Sequence, residues 1–277
     1  KIDPYWMTAS AIDEAIRNNT AVGGRRIALL DNFTWGNPEK PDRMGSLVRA
    51  CQACHDFAKG FKAPFISGKD SLYNESPSGP VTPTLLITAV GTIPDVRKAV
   101  SMEVKQHGNS LYVVGQTYPE LGGSEYYKLR GFSGNSVPKV RVSQARKIID
   151  SLVKAVDVGC VRACHDLSEG GLAVAAAEMA FTGEQGIDLY LKRVPRPKGV
   201  KRNDFILFSE SNSRFLVEVS EKRREDFEDL LKGNSFSLVG RVKKDGYLSV
   251  YGINGERVVE ASLIELRNRW KSALEGG

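Results

Sequence analysis

Short apolar runs alternate with helical segments along most of this chain, and this alternation constrains the fold more than any other feature. Residues 27–30, 85–93 and 110–115 are largely apolar and end at polar residues or connectors, which is typical of strands. Residues 8–19 and 44–61 instead carry apolar side chains at the i, i+3, i+4 spacing of an amphipathic helix. Strands that alternate with helices predict an α/β fold with α+β-type mixed sheets.

The alternation continues through the second part of the chain. There we predict helices at residues 143–156, 172–181, 221–232 and 261–274 and strands at residues 161–164, 215–219 and 235–242. A length of 277 residues fits two domains, at roughly 100–200 residues per domain. Because residues 93–97 look like a connector, we place the boundary near residue 104. The predicted domains are residues 1–104 and residues 105–277.

Composition and charge restrict the class of protein. The hydrophobic fraction is 41%, and no apolar run approaches the ~18–20 residues that a membrane helix needs. The chain also begins without the layout of a secretory signal, so we expect a soluble, cytoplasmic protein with no membrane partner. The net charge of +6 is compatible with anionic partners. Its densest basic stretch, residues 192–202, is predicted to be a solvated loop, with a docking surface as the alternative.

The four cysteines, at positions 51, 54, 160 and 164, are too few for a disulfide framework in a chain of this length. Residues 51–55 match the C-x-x-C-H pattern of haem attachment. We reject that interpretation because Cys51 and Cys54 fall on the apolar face of the predicted helix 44–61. The alternative to a structural role is a zinc site formed by all four cysteines, and it stays open.

Four polar clusters lie where predicted strands end or helices begin, the places where α/β folds collect ligands. The first is Glu14 with Asn18. Four residues apart on a helix, they project from one face and offer the hard oxygen ligands that Mg²⁺ accepts beside phosphate. A solvated polar face explains the same pair.

The second and third clusters follow strands of the first domain. Asp31 ends an apolar strand, where a carboxylate either binds a metal or nucleotide or caps a turn. Residues 67–71 (SGKDS) are predicted to be a polar glycine loop, whose backbone N–H groups and lysine could approach phosphate. The full P-loop spacing is missing, so an ordinary turn is the competing interpretation.

The fourth cluster, residues 165–171 (HDLSEGG), stands at a predicted helix start. Carboxylates, a hydroxyl and glycine N–H groups at a positive helix terminus suit Mg²⁺ and a polyphosphate together. Asp166 or Ser168 capping the helix is the structural alternative. His165 beside Asp166 suggests a catalytic triad, but the chain has no G-x-S-x-G nucleophile elbow, so we interpret His165 as structural.

Five motifs taken in order resemble the second half of the phosphoribosylformylglycinamidine synthase family, and the resemblance covers essentially the whole chain. They are residues 31–41 (DNFTWGNPEKP), 67–75 (SGKDSLYNE), 121–126 (LGGSEY), 165–173 (HDLSEGGLA) and 208–211 (FSES). The resemblance implies an ATP-dependent carbon–nitrogen ligase of purine biosynthesis, which converts formylglycinamide ribonucleotide and glutamine-derived ammonia into the amidine. It also implies two α/β domains of the aminoimidazole ribonucleotide synthetase type, the first contributing to a shared β-barrel.

The resemblance further implies site residues. It assigns Glu14, Asn18 and Asp166 to Mg²⁺, and it assigns Ser71 to the phosphorylated substrate. Residues assigned to ATP or ADP are Asp31, Gly68, Lys69 and Ser168. Lys69 replaces an asparagine metal ligand found in one branch of the family; since a fixed cation cannot ligate Mg²⁺, Lys69 is expected to neutralise phosphate charge instead.

The family's catalytic histidine lies in its first half, and the early aspartate of the second half's metal site precedes the residues present here. We therefore expect a truncated first domain, no catalytic residue in this half, an auxiliary nucleotide site and an inactive isolated fragment. Implied partners are the first half of the synthase, a glutaminase subunit or domain and a small accessory subunit, with a homodimer of the fragment left open. Alternatives are a free-standing aminoimidazole ribonucleotide or selenophosphate synthetase, or a non-enzymatic nucleic-acid-binding module that uses residues 192–202.

Overall fold

A computed structural model describes the backbone of residues 2–275 and the side chains of residues 2–272. The helices of this part are α1 (Pro4–Ala21), α2 (Pro41–Phe61), α3 (Glu125–Leu129), α4 (Val142–Asp157), α5 (Gly171–Gly183), α6 (Asn203–Phe208), α7 (Arg224–Leu231) and α8 (Leu263–Glu275). The strands are β1 (Arg25–Thr34), β2 (Phe65–Ser71), β3 (Glu75–Ser76), β4 (Gly79–Pro80), β5 (Thr84–Thr92), β6 (Ser110–Val114), β7 (Val161–Asp166), β8 (Gly186–Tyr190), β9 (Phe215–Val219), β10 (Phe236–Lys243), β11 (Tyr247–Tyr251) and β12 (Arg257–Ser262).

The first sheet has three strands in the order β2-β1-β5, with β1 parallel to β2 and antiparallel to β5. Helices α1 and α2 cover one face, where Ile12 and Phe57 pack with Leu29 of β1. On the opposite face the large apolar side chains Leu86 and Val90 of β5 are 60% and 53% exposed. The first sheet is therefore packed on one side only.

The second sheet has seven strands in the order β12-β11-β8-β10-β6-β9-β7 and is covered on both faces. Its interior strand β6, between β10 and β9, is buried throughout, and successive side chains of a strand point to opposite faces. Leu111 and Val113 accordingly belong to the core under α5, whereas Tyr112 and Val114 belong to the core under α4 and α7. This two-sided packing confirms the predicted α/β class with mixed sheets.

Residues 67–71 are not the predicted loop, because they form most of strand β2. Gly68 pairs with Asp31 and Ser71 pairs with Thr34 of the parallel neighbour β1. That pairing uses backbone groups, so polar side chains do not prevent it. Helix α6 and strands β8, β11 and β12 were also missing from the prediction. The domain boundary near residue 104 stays a prediction. Among the helices of the described residues, none has the length and apolar character of a membrane-spanning helix.

A bidentate ion pair ties the start of the first sheet to the end of α4. The Arg25 guanidinium donates to both Asp157 carboxylate oxygens, at 2.5 and 2.6 Å, and Lys98 Nζ donates to the Asp157 carbonyl at 2.9 Å. Hydrogen bonding to Arg25 lowers the pKa of Asp157 below its ordinary value of 3.8. The pair is partly exposed, so it fixes geometry more than it adds stability.

We predict that Asp157→Asn lowers the free energy of unfolding by about 0.5–1 kcal/mol at neutral pH, measured by urea denaturation. Because the pKa of Asp157 is lower in the folded state, its stabilisation is present above 3.8 and is lost as the pH falls through the folded value. The variant and the parent protein should thus converge in acid. Asp226→Asn, in a more exposed pair with Arg223, should change stability less. A difference at Asp157 that persists well below pH 3.8 would contradict the assignment.

Candidate functional site

Three of the predicted metal ligands converge between α1 and the end of β7. Glu14 and Asn18 lie one turn apart on α1, which packs against β7. With its NH₂ group turned towards Asp166, the Asn18 amide lies 2.8 and 3.1 Å from the two carboxylate oxygens. Burial and the negative charges of Glu169 and Asp166 raise the pKa of Glu14. The structure therefore brings Glu14, Asn18 and Asp166 into one negatively charged cluster.

A buried arginine, which the sequence analysis missed, lies beside this cluster. The Arg17 guanidinium binds Asp13, donates to Ser168 Oγ at 2.9 Å and to Asn212 Oδ1 at 3.1 Å, and comes within 3.7 Å of Asp166. A signal for it was available in the sequence. Asp13 and Arg17 share the helical spacing of the apolar face of α1, where a charged side chain needs a buried partner.

His165 holds Asp166 from the other side. Its Nδ1 lies 3.3 Å from Asp166 Oδ1 and its Nε2 lies 2.9 Å from Glu178 Oε2. Although burial lowers the pKa of His165, hydrogen bonds to these two carboxylates raise it to about 9. For Asp166 the directions are reversed: burial raises its pKa, but contacts with His165, Arg17 and Ser168 outweigh burial, and the pKa is lowered overall. Asp166 is thus held as a carboxylate, and His165, a protonated imidazole, positions it.

The start of α5 departs from the prediction that its glycine N–H groups are available to a polyphosphate. Gly170 N donates to Glu210 Oε1 at 2.9 Å, and Glu125 N donates to the same oxygen at 3.0 Å. Gly170 itself is the N-cap residue, so neither Asp166 nor Ser168 caps the helix. The Ser168 hydroxyl instead donates to Asp166. A protein carboxylate therefore takes the N–H group of Gly170.

The remaining predicted site residues lie together on the first sheet. Asp31 and Gly68 are register partners, and a Cβ on Gly68 would lie 2.2 Å from the Asp31 carboxylate, so a larger residue at position 68 would displace that side chain. Lys69 is exposed, and the Ser71 hydroxyl contacts the Asn74 amide at 3.2 Å. Within the described side chains, no hydrogen bond or ion pair joins Asp31 to the Glu14–Asn18–Asp166 cluster. The candidate residues thus form two groups, the Glu14–Asn18–Asp166 cluster and a second group on strands β1 and β2.

The donor set of the first group fits Mg²⁺ better than a softer metal. Two carboxylates and an amide oxygen are hard ligands, and burial, followed by the neighbouring carboxylates, raises the pKa of Glu14. Within residues 2–272, no three His, Cys, Asp or Glu side chains are grouped to hold a metal by themselves, so the Asn18 oxygen and ligand oxygens would complete the coordination. The cysteines are all free, and burial raises the pKa of Cys54 to about 12.

Two family models match this chain. Residues 1–93 match the N-terminal domain of AIR synthase related proteins, and residues 106–253 match the C-terminal domain. The chain belongs to the AIR synthase related protein family. The second match alone covers more than half of the residues, and the pair accounts for the predicted aminoimidazole ribonucleotide synthetase-type architecture.

The resemblance to phosphoribosylformylglycinamidine synthases is confirmed by curated relatives. The chain is 36% identical over 287 residues to the phosphoribosylformylglycinamidine synthase subunit PurL of Methanothrix thermoacetophila, covering 99% of this chain and 36% of that protein. It is 32% identical to the same subunit of Thermococcus sibiricus, covering 98% of this chain and 37% of that protein. The chain thus spans a little over a third of the relatives' length.

Solved structures share the fold. A Thermotoga maritima PurL complexed with FGAR superposes with a TM-score of 0.80 at 21% identity, covering 96% of this chain and 43% of that one. A chain of a HypE–HypF complex superposes with a TM-score of 0.73 at 15% identity, covering 92% of this chain and 84% of that one. The AIR synthase related fold therefore occurs both within longer chains and in chains of about this size.

We predict that Gly171→Ala lowers the free energy of unfolding of the protein by about 1–3 kcal/mol more than the same replacement at a glycine without close neighbours. Gly171 has φ +60°, and a Cβ there would lie 2.5 Å from the Ser209 carbonyl oxygen and 2.8 Å from that of Leu207. The matched control is Gly159→Ala, which has φ +73° but no neighbour within 4 Å. Denaturant unfolding measures both. Equal losses would show that backbone conformation alone, and not the packed loop, requires Gly171.

Proposed function

We propose that this chain supplies the second synthetase half of a cytoplasmic phosphoribosylformylglycinamidine synthase, an ATP-dependent carbon–nitrogen ligase with glutamine as amido donor. In this half it binds a magnesium nucleotide. The observation that carries the proposal is the convergence of Glu14, Asn18 and Asp166, three oxygen ligands from distant parts of the chain. The names of the curated relatives support the product amidine, and the PurL structure complexed with FGAR supports formylglycinamide ribonucleotide as the substrate.

Glu14, Asn18 and Asp166 would hold Mg²⁺, which neutralises charge on the nucleotide's phosphate oxygens when bound. Arg17 and His165 keep Asp166 ionised and oriented, so the chain presents a preformed carboxylate. In the proposal Ser168, Asp31 and Gly68 contact the nucleotide, Lys69 adds positive charge towards phosphate, and Ser71 contacts the substrate. Strand β2 carries Lys69 and Ser71 on one face and Gly68 on the other, beside β1.

The nucleotide site of this half is auxiliary in the proposal, and turnover takes place in the other half. Phosphoryl transfer is catalysed by groups that position the phosphate and stabilise its charge. A histidine that acted as general base in the reaction would need an unprotonated ring nitrogen to accept the proton. His165 has no free lone pair, because it is protonated near neutral pH and both its ring nitrogens face carboxylates. This supports our expectation that the isolated chain does not catalyse the ligation.

The exposed face of the first sheet supports pairing with a second synthetase domain. Leu86 and Val90 on β5 and Ile66 on β2 are more than half exposed, and apolar surface of this kind is usually covered in an assembly. We propose that the first half of the synthase covers this face across a shared β-barrel, and that a second copy can do so when the first half is missing. A glutaminase and a small accessory subunit would complete the enzyme.

A free-standing ATP-using enzyme is the second candidate. The observation that favours it is the coverage of 84% of the HypE–HypF chain, compared with 43% of PurL. An enzyme of that kind would turn over ATP without a partner chain, whereas an auxiliary half would bind nucleotide without releasing phosphate. A phosphate-release assay on the chain alone therefore separates the two candidates.

We predict that ADP binds only with Mg²⁺ and that Asp166→Asn or Glu14→Gln weakens binding about 10- to 100-fold, measured by calorimetry. Both changes remove a charged oxygen ligand while preserving the shape of the side chain. The matched control Glu225→Gln, at an exposed position on α7, should leave affinity unchanged. Binding that survives chelation of Mg²⁺ and both substitutions would refute the metal assignment.

We predict that Val90→Glu, which buries a charge if the sheet face is covered, reduces association of this chain with the first half of the synthase about tenfold or more. Co-purification and sedimentation measure the association. Val96→Glu is the control, because Val96 is 79% exposed on a short turn outside the sheet. If both variants associate as well as the parent chain, the exposed sheet face is not the pairing surface.

A further inference from the structure

A cavity of about 620 Å³ lies where the start of β1, the end of α2 and the middle of α4 meet beside α1. None of the candidate metal, nucleotide or substrate residues lines it. Its volume falls within the ~300–1,000 Å³ that is usual for small-molecule sites. We call this space the junction cavity.

The rim of the junction cavity carries an excess of positive charge. Arg25 and Asp157 neutralise each other through their bidentate pair. The other cations on the rim are Arg26, Lys62, Arg146 and Lys154, and none of them forms an ion pair within the described part of the chain. Asp150 is the one further carboxylate among the lining residues. Four unpaired cations facing one carboxylate favour an anionic occupant.

The floor of the junction cavity is apolar. Ile16, Ala63 and Val153 are buried there, and Phe61 and Ile149 are half-buried beside them. A bare inorganic anion would leave this floor in contact with water. An organic anion covers it, because its uncharged part can pack on the apolar floor while its charged group meets the rim.

Backbone conformation points to the same rim. Arg26 has φ +52° where the register of β1 against β5 shifts, and Lys62 has φ +57° at the end of α2. Left-handed conformations are uncommon for residues other than glycine, and they concentrate at functional sites. A β-bulge re-aims the side chains next to it. Lys62 forms the ordinary left-handed cap of α2, with its N–H bonded to the Ala58 and Lys59 carbonyls, so of the four cations it is Arg26 that stands on unusual backbone.

We propose that the junction cavity binds a nucleoside monophosphate, with its phosphate among Arg26, Arg146 and Lys154 and its sugar and base on the apolar floor. Volume favours a small ligand over a peptide. The phosphate group matches the uncompensated cations, and an aromatic base matches the Phe61 and Ile149 surface. A ligand in this position bridges the first sheet and α4.

The test is calorimetry of the whole chain with AMP in the absence of Mg²⁺, alongside its thermal unfolding. We expect saturable binding and an upward shift of the unfolding midpoint, because a ligand that binds only the folded state stabilises it. Arg146→Glu and Lys154→Glu should each weaken AMP binding about tenfold or more. The matched control is Lys147→Glu, one residue from Arg146 on the same helix and outside the cavity lining, which should retain the parent affinity within about twofold.

Further titrations test where AMP binds and which part of the ligand contributes the affinity. Asp166→Asn should leave AMP binding intact, and a loss there would place AMP in the metal cluster and overturn the proposal. Inorganic phosphate and adenosine should each bind more weakly than AMP, whereas phosphate binding as tightly as AMP would contradict the role of the apolar floor. Undetectable AMP binding, or equal losses in Arg146→Glu and Lys147→Glu, would also overturn it. Ligand-free unfolding curves establish that each variant is folded.

Discussion

The buried guanidinium of Arg17 is the interaction on which the rest of the site depends. Its two terminal NH₂ groups donate to Asp13 on its own helix and to Asn212 and Ser168 from the second sheet's loops, whereas its buried Nε has no hydrogen-bond partner among the described residues. Asp13 accepts a further hydrogen bond from Ser213 N at 2.9 Å. Breaking one partner of such a buried pair costs about 3–5 kcal/mol, because a charge is left uncompensated. This network therefore fixes α1 against the second sheet, and only with α1 fixed do Glu14 and Asn18 face Asp166.

The alternation of apolar runs and amphipathic helices was sufficient to predict the fold class, and helical spacing placed Glu14 and Asn18 on one face. Residue spacing within a helix cannot show which distant strand end packs against that helix. The prediction that Asp166 lies near Glu14 and Asn18 therefore rested on the family resemblance. Residues 67–71 were misjudged because their polar composition suggests a loop, whereas parallel pairing with β1 needs only their backbone. Arg17 was missed because the helical pattern was judged from its apolar residues, and the charged residues within that stripe were not considered.

Part of the family signature is explained by packing rather than by ligand contact. Tyr126 stacks on Phe208 with ring centroids 4.5 Å apart, and Glu210 receives N–H groups from both Gly170 and Glu125. Three of the five motifs therefore meet around one carboxylate. Burial and neighbouring carboxylates raise the pKa of Glu210, which its two backbone hydrogen bonds partly offset. The motif residues thus specify how loops assemble around the start of α5, and the sequence alone could not separate that role from phosphate binding.

Helix α1 connects the two proposed ligand sites, the Glu14–Asn18–Asp166 cluster and the junction cavity. Ile16 forms part of the junction cavity floor, while Glu14 and Asn18, two residues to either side, face Asp166. A hydrogen-bonded helix moves as a unit. Arg17 and Asp13 tie α1 to Ser168, Asn212 and Ser213, and the Arg25–Asp157 pair ties the start of β1 to α4. Since coupling between two binding sites is reciprocal, a ligand that shifts α1 from the cavity side must change nucleotide affinity by the same factor as nucleotide changes its own. The rigidity that preforms the carboxylate cluster is therefore also the property that would let the two sites communicate.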